Sequence, residues 1–200
     1  MRFAMRNVIR DVTNNRPIRQ IGISQKVVDI MAKAKAVGVE ILLPVDSKTW
    51  CFANGMCRTS IVDCNDDPLP GGMEMDCGPA TRLIHKHAIQ GAKTIIWNGP
   101  MGQYETKVYE MGSKNVMEQV IEATAKGSRS IVMGLDTVAM FKAHGCEDKV
   151  THYTVHSTAG WNLLLDKQLR GVETLSGAGV CVCGPLAMDG WLLPKNCIRL

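Results

Sequence analysis

The chain has 200 residues, of which 46% are apolar and 21% are charged, and its formal net charge is +4. This composition is typical of a globular protein and argues against intrinsic disorder. The length predicts one domain or at most two small ones. The mild positive charge suits an anionic ligand, but no cluster of Lys and Arg is dense enough to indicate nucleic-acid binding.

Eight cysteines are scattered along the chain, and none forms a CxxC pair. Their spacing predicts neither a structural zinc site nor the disulfide framework of a small secreted domain. We interpret them as reduced thiols in an intracellular protein. No apolar run is long enough to predict a membrane span, and the N-terminus lacks the apolar core of a signal peptide.

Helix and strand patterns alternate along the chain. Ser24 can cap a first helix, after which the apolar run 39–45 is predicted to be a buried parallel strand. The segment 46–75 is rich in Asn, Asp, Gly and Pro, and it predicts an irregular excursion with a short hairpin. The pattern then predicts a helix with Asp76 near its start.

Three further pairs of a strand and a helix follow. The predicted strands are 93–97, 129–133 and 149–155, and the predicted helices are 113–127, 136–144 and 159–169. This alternation predicts an α/β fold, a three-layer Rossmann-like parallel sheet with helices on both faces. Right-handed crossovers place the carboxyl ends of all strands at one edge, where such sheets bind ligands.

The residues that reach this edge have either a binding role or a structural one. Asp136 begins a helix, so it could hold Mg²⁺ against nucleotide phosphates or simply cap that helix. Asn98 could bind a ligand with its amide or tie its loop. Glu105 could accept hydrogen bonds from a sugar or occupy a helix start. Ser157 and Thr158 could form an anion site or cap the last helix. The local pattern alone favours the structural roles.

Five motifs occur in the order and at the separations typical of phosphoglycerate kinase. IIWNGPMGQYE, residues 95–105, resembles the WNGP signature of that family, which continues with Gly, an aromatic residue and Glu. KAKAVGVEILLPVD resembles the helix and the LPVD strand of that family. MDCGP resembles the family's LDCGP motif, and IVMGLDTVA resembles the family's GGGDT segment. EDKVTHYTVHSTAGWNLLLDKQLRGVETL follows the family's ending without a gap. The resemblance covers residues 1–176 as part of the C-terminal, nucleotide-binding domain, and it leaves 177–200 as a C-terminal extension.

This resemblance implies a function and a set of site residues. The family transfers a phosphoryl group between 1,3-bisphosphoglycerate and ADP, giving 3-phosphoglycerate and ATP in glycolysis. The implied cofactor is Mg-ADP or Mg-ATP. The residues implied to contact the nucleotide are Asn98, Pro100, Glu105, Gly134, Asp136 and Thr137. Of these, Glu105 would bind the ribose and Asp136 would face the metal.

The chain departs from the family where glycines should line the phosphates. Met133 and Leu135 replace two of the three glycines before Asp136, and the tripeptide His-Ser-Thr at 156–158 replaces a triple glycine. Glu74 stands where a glycine borders the adenine pocket. Glycine lets the backbone approach a phosphate closely, so these side chains are expected to crowd the nucleotide. Because phosphoryl transfer depends almost wholly on positioning and charge stabilisation, we expect this chain alone not to catalyse it.

Parts of the family's sequence have no counterpart here, namely the substrate domain with its basic cluster and a GGAKV segment. The first strands of a doubly wound sheet lie centrally, so we expect exposed strand edges and either marginal stability or a protein partner. The alternative is a non-catalytic pseudoenzyme module that packs on a partner or binds nucleotide weakly. We expect a cytoplasmic location. A glycosome- or peroxisome-like organelle is the alternative, because Arg199 and Leu200 partly resemble the Ser-Lys-Leu address.

Overall fold

The computed structural model describes residues 24–53, 56–64, 72–169, 171 and 197–199. The chain divides into two compact units. The first contains the residues up to 85 and the segment 101–112, and the second contains 86–100 and the residues from 113 onward. None of the helices in the described part of the chain is long and apolar enough to cross a membrane.

The described part of the first unit is built on a helix and an antiparallel sheet. The elements are α1 (Ser24–Ala36), β1 (Asp46–Ala53), β2 (Met56–Asp63) and β3 (Met73–Cys77). The strands are ordered β2-β1-β3, and both pairs are antiparallel. The helix predicted from Ser24 is confirmed by α1. The predicted excursion with a short hairpin contains the β1–β2 hairpin, and β3 pairs with the other edge of β1, so the segment is more regular than the sequence indicated.

The strand predicted at 39–45 is absent from the structure, and this prediction was wrong. A strand needs a neighbour to satisfy its backbone groups, and no described strand pairs with this run. Its last N–H group, that of Val45, donates instead to the hydroxyl of Thr81 at 3.0 Å. An apolar run is therefore not sufficient to form a strand.

The remaining elements alternate between helix and strand. They are α2 (Pro79–Gln90), β4 (Thr94–Asn98), α3 (Met111–Ala125), β5 (Arg129–Met133), α4 (Leu135–Ala143), β6 (His152–Thr154), α5 (Ser157–Leu164) and β7 (Cys197–Arg199), with short 3₁₀ turns at Lys107–Tyr109 and Glu147–Lys149. The four strands form one parallel sheet in the order β6-β5-β4-β7. The predicted α/β fold with a parallel sheet is confirmed. β7 lies in the segment predicted to be a C-terminal extension.

The core of the second unit lies around β4 and β5. Its fully or almost fully buried side chains are Ile89, Ile95, Ile96, Trp97, Val116, Val120, Val132, Met133, Val138, Met140 and Phe141. The three central residues of β4, Ile95 to Trp97, are all buried, which is typical of a strand that packs on both faces of a parallel sheet.

Asp46 holds the start of α2. Its carboxylate accepts hydrogen bonds from the N–H groups of Ala80 at 2.9 Å and Thr81 at 2.8 Å, and from the Thr81 hydroxyl at 2.6 Å. Burial alone would raise the pKa of this carboxyl, but the hydrogen bonds from Thr81 and Ala80 outweigh that effect and lower it. Asp46 thus performs the capping role that the sequence suggested for Asp76.

Asp76 lies in β3 and holds the start of α3 instead. It is buried, and its carboxylate accepts the N–H groups of Cys77 and Gly112, each at 2.8 Å. Burial raises the pKa of Asp76, and these hydrogen bonds only partly offset that effect. Burial and the adjacent Asp76 carboxylate raise the pKa of the Cys77 thiol to about 12, so this thiol stays protonated at neutral pH.

We expect His85 to make the protein less stable in mild acid. This α2 residue is 6% exposed, its Nδ1 atom has no hydrogen-bond partner among the described residues, and burial lowers its pKa below 6.5. The folded state then binds the proton less tightly than the unfolded chain. Stability is therefore complete above pH 6.5 and is lost as the pH falls below that value.

Urea unfolding at about pH 7.5 and about pH 5.5 measures this dependence. His85→Gln should reduce the difference in unfolding free energy between the two pH values. His87→Gln is the matched control, because His87 is exposed on the same helix. The proposed role of His85 is contradicted if both variants keep the full wild-type difference.

Candidate functional site

The carboxyl ends of three parallel strands bring three loops of the second unit to one edge of the sheet. Residues 98–100 follow β4, residues 134–137 follow β5, and residues 155–158 follow β6. Ligands bind at this edge in open parallel sheets. The structure thus gathers the loops that the sequence predicted to meet.

The loop after β4 is fixed through Gly99. This residue has a φ of +103°, in the left-handed region that favours glycine. The fully buried Trp97 donates from Nε1 to the Gly99 carbonyl at 2.7 Å, and the Gly99 N–H donates to Thr137 Oγ1 at 2.8 Å. The Trp97 ring packs edge-on against Phe141, with centroids 5.6 Å apart. Both polar backbone groups of Gly99 are thereby held by side chains from β4 and α4.

Asn98 ties the ends of two neighbouring strands to α5. With its amide oriented to match its neighbours, Asn98 donates to the Met133 carbonyl at 3.1 Å and accepts from Trp161 Nε1 at 2.9 Å. Gly134 is adjacent, with a φ of +95°, and a Cβ atom there would lie 2.8 Å from the Asn98 amide. Asn98 therefore has the structural role that the sequence left open, and its contact with a nucleotide stays a prediction.

The first turn of α4 presents one exposed carboxylate at the sheet edge. Asp136 is exposed, whereas the following Thr137 is fully buried with its hydroxyl turned toward Gly99. Gly134 precedes the helix, and no side chain caps it. The described residues contain no group of three or more His, Cys, Asp or Glu that could hold a metal. A magnesium ion at Asp136 would therefore need phosphate and water oxygens as its other ligands.

The side chains that replace the family's glycines differ in where they lie. Met133 was expected to crowd the phosphates, and this expectation was wrong, because Met133 is fully buried at the end of β5. Its sulfur packs beside Gly160, where a Cβ atom would lie 2.6 Å from it. Leu135, by contrast, is 68% exposed, and His156 and Thr158 are exposed as well. Leu135, His156 and Thr158 are therefore the exposed residues among those that replace glycines in these two loops.

A cavity of about 520 Å³ lies beside the start of α5. It is lined by His156, Thr158, Ala159, Asn162, Gln168, Leu169 and Gly171. The polar groups of His156 and Thr158 belong to the third loop of the edge. The cavity therefore adjoins the loop for which the sequence left open either an anion site or a helix cap.

Glu105 belongs to a different compact unit from the other candidate residues. Asn98, Pro100, Gly134, Asp136 and Thr137 belong to the second unit, whereas Glu105 belongs to the segment 101–112 of the first unit. Glu105 is exposed in a turn. Its role at a ribose stays a prediction.

The antiparallel sheet of the first unit holds the segment 101–112. The N–H of Gln103 donates to the Met75 carbonyl at 2.8 Å, and Lys48 Nζ donates to the Val108 carbonyl at 2.6 Å. Local sequence reasoning missed this attachment, because the partners of these bonds are distant in the chain.

Glu74 also lies in the first unit. It is half-buried in β3, and its Oε1 atom accepts a hydrogen bond from the Ser47 hydroxyl at 3.1 Å. The carboxylate thus has a hydrogen-bond partner within the antiparallel sheet of the first unit. The expected crowding of an adenine base by Glu74 stays a prediction.

The parallel sheet and the loops at its carboxyl edge define an α/β domain of the Rossmann-like class. The family model for phosphoglycerate kinase matches residues 9–167. The chain belongs to the phosphoglycerate kinase family.

Relatives from distant organisms resemble this chain over about three quarters of its length. Phosphoglycerate kinase of Thermosipho africanus is 36% identical over 147 residues, which cover 74% of this chain and 37% of that protein. Human phosphoglycerate kinase 2 is 37% identical over 148 residues, which cover 74% of this chain and 36% of the human protein. A probable phosphoglycerate kinase of Caenorhabditis elegans is 40% identical over 153 residues, covering 75% and 36%. The chain spans less than two fifths of the length of these relatives.

Two solved structures share the fold. Phosphoglycerate kinase from Coxiella burnetii has a TM-score of 0.69 and 21% identity, covering 85% of this chain and 44% of that one. Phosphoglycerate kinase from Pyrococcus horikoshii has a TM-score of 0.56 and 18% identity, and the match covers 84% of this chain and 42% of that one.

Proposed function

We propose that this chain binds Mg-ADP or Mg-ATP at the carboxyl edge of its parallel sheet and does not transfer a phosphoryl group on its own. Family membership supports a role related to the glycolytic phosphoglycerate kinase reaction. The observation that carries the nucleotide proposal is the 2.8 Å hydrogen bond from the Gly99 N–H to Thr137 Oγ1. It joins the loops after β4 and β5 beside the exposed carboxylate of Asp136.

The first turn of α4 has the chemistry that a magnesium–phosphate group requires. The first N–H groups of a helix lack intrahelical partners, and the positive end of the helix dipole favours phosphate oxygens. Gly134 adds no side chain at this end, and no other side chain caps it. Asp136 would hold the magnesium ion, which when bound neutralises phosphate charge. The residues present therefore fit a Mg-nucleotide.

The same edge also carries the side chains that argue against transfer. Leu135, His156 and Thr158 are exposed where the resemblance places glycines. Their bulk would keep backbone donors away from the transferred phosphoryl group. By analogy with oxyanion sites, the loss of each donor costs about 3 kcal/mol of transition-state stabilisation. Weak binding of the nucleotide without turnover is the expected combination.

Calorimetric titration with Mg-ADP tests the nucleotide site. We expect the wild-type chain to bind in the micromolar range, about −8 kcal/mol, and Asp136→Asn to weaken binding at least tenfold, or by about 1.4 kcal/mol. Asp148→Asn is the matched control, because Asp148 is an exposed carboxylate of the same unit in the turn Glu147–Lys149. Equal losses in the two variants, or no wild-type binding at millimolar Mg-ADP, contradict the proposed site.

A coupled assay for phosphoglycerate kinase tests the second half of the proposal. The purified chain should show no turnover above the blank with ADP and 1,3-bisphosphoglycerate. Measurable turnover would contradict the proposal that this chain alone is inactive. It would not contradict the proposed nucleotide site.

A further inference from the structure

The indole of Trp161 contacts a candidate nucleotide residue from a neighbouring helix. Trp161 lies in α5, and its Nε1 atom donates to the side-chain oxygen of Asn98 at 2.9 Å. We propose that Trp161 is a positioning residue of the nucleotide site, which holds the amide of Asn98 in the one orientation that a bound Mg-nucleotide meets. Trp161 is not among the residues that the family resemblance implies at this site. The inference rests on the proposed function, because it gives the amide of Asn98 a ligand.

The backbone next to Asn98 is fixed, and the side-chain amide is the group that must be oriented. β4 ends at Asn98. The N–H of the next residue, Gly99, donates to Thr137 Oγ1 at 2.8 Å, and its carbonyl accepts from Trp97 Nε1 at 2.7 Å. Turning a carboxamide by 180° keeps its shape but exchanges donor and acceptor. The orientation of this amide therefore decides what Asn98 offers to a ligand.

Two neighbours of opposite polarity select one orientation of the amide. The Met133 carbonyl accepts from the amide nitrogen of Asn98 at 3.1 Å, and the indole of Trp161, which can only donate, faces the amide oxygen. In the reversed orientation both hydrogen bonds would be lost, because oxygen would face the carbonyl and nitrogen would face the indole N–H. The two bonds use one N–H and one lone pair of the amide. The amide can therefore still donate to a phosphate oxygen or accept from a ligand hydroxyl.

Close packing of α5 on the sheet explains why Trp161 reaches Asn98. The preceding residue, Gly160, lies against β5 and β6, where an added Cβ atom would be 2.6 Å from Met133 Sδ and 3.3 Å from Thr154 Cγ2. Met133 is the register partner of Asn98, so a helix packed on Met133 lies beside the end of β4. Asn98 and Trp161 are both half-buried. The pair is therefore partly shielded from water and partly accessible to a ligand.

Side-chain amide spectra of the isotopically labelled protein without nucleotide test the fixed orientation. Trp161→Phe keeps an aromatic ring and removes the donor. We expect it to shift both side-chain amide resonances of Asn98 and to speed their exchange with water at least tenfold. Trp50→Phe is the matched control, because Trp50 is a half-buried tryptophan of the other unit, and it should leave these resonances unchanged. Unchanged Asn98 resonances in Trp161→Phe overturn the proposal.

The reciprocal variant, Asn98→Leu, tests the same contact from the other side. It removes the acceptor with little change in side-chain volume, so the indole N–H resonance of Trp161 should shift and exchange faster. An unmoved Trp161 indole resonance overturns the proposal, and this measurement stands if Trp161→Phe does not fold.

Calorimetric titration with Mg-ADP then separates a positioning role from simple packing. We expect Trp161→Phe to bind Mg-ADP about tenfold more weakly than the wild type, and Trp50→Phe to bind it equally well. Wild-type affinity in Trp161→Phe, together with shifted Asn98 resonances, overturns the positioning role. The absence of binding by the wild type contradicts the proposed nucleotide site instead, and the amide spectra then decide whether Trp161 orients Asn98.

Discussion

Replacing Gly112 by alanine is expected to lower the free energy of unfolding by at least about 3 kcal/mol. Gly112 is buried in the first turn of α3, and its N–H donates to Asp76 Oδ2 at 2.8 Å. An added Cβ atom would overlap the Asp76 carboxylate and lie 2.5 Å from Cys77 Sγ. Relief of that overlap would break the hydrogen bond and leave a buried carboxylate with one backbone donor fewer. Such a loss is costly because Asp76 is already buried.

Urea unfolding followed by circular dichroism measures this effect. Gly91→Ala is the matched control, because Gly91 follows α2 and the nearest atom to its added Cβ would be 3.8 Å away. The control should change stability by no more than about 0.5 kcal/mol. Equal losses in the two variants would show that the effect does not come from the Asp76 carboxylate.

Replacing Trp97 by alanine is expected to cost about 3 to 5 kcal/mol. Trp97 is fully buried in β4, its ring packs on Phe141, and its indole N–H holds the Gly99 carbonyl at 2.7 Å. The variant would therefore leave a cavity in the core and release the loop after β4. Trp97→Phe keeps an aromatic ring in the core but loses the hydrogen bond to Gly99. We therefore expect this variant to lose less stability than Trp97→Ala and still to change the environment of Gly99.

The same urea titration measures both Trp97 variants, and the amide resonance of Gly99 reports on the loop. Trp50→Ala is the control, because Trp50 is only half-buried in the antiparallel sheet of the first unit. Trp50→Ala should lose less stability than Trp97→Ala, and it should leave the amide resonance of Gly99 unchanged. A Trp97→Ala variant as stable as Trp50→Ala would contradict the assigned role of Trp97.

Local pattern predicted most elements of the second unit, although β6 is shorter than the predicted strand 149–155 and β7 was not predicted. β5 spans Arg129–Met133, the bounds that the sequence indicated, because an apolar run there lies between Gly127 and Gly134. The antiparallel sheet of the first unit was harder to predict, because two of the three buried side chains of β1 are polar. Ser47 and Thr49 are each 5% exposed, so the usual alternation of apolar and polar residues is lost. Their hydroxyls lie 3.4 Å apart, and this contact depends on the folded strand.

The candidate site could be predicted only in part. Asn98 and Asp136 each follow a strand, and parallel topology alone placed them at one edge. Met133 of β5 packs against Gly160 of α5, which is distant in the sequence, so the residue type alone suggested the wrong location. Likewise, the hydrogen bond from the Gly112 N–H to the Asp76 carboxylate joins residues 36 positions apart. Such contacts arise from tertiary packing and leave no local pattern in the sequence.

The most direct test of the nucleotide site is amide chemical-shift mapping of the isotopically labelled chain during a titration with Mg-ADP. We expect saturable shifts centred on Gly99, Gly134 and Asp136, with β1 and β2 unaffected. The absence of saturable shifts at these three residues up to millimolar Mg-ADP, or shifts confined to other parts of the chain, would contradict a nucleotide site at the carboxyl edge of the parallel sheet.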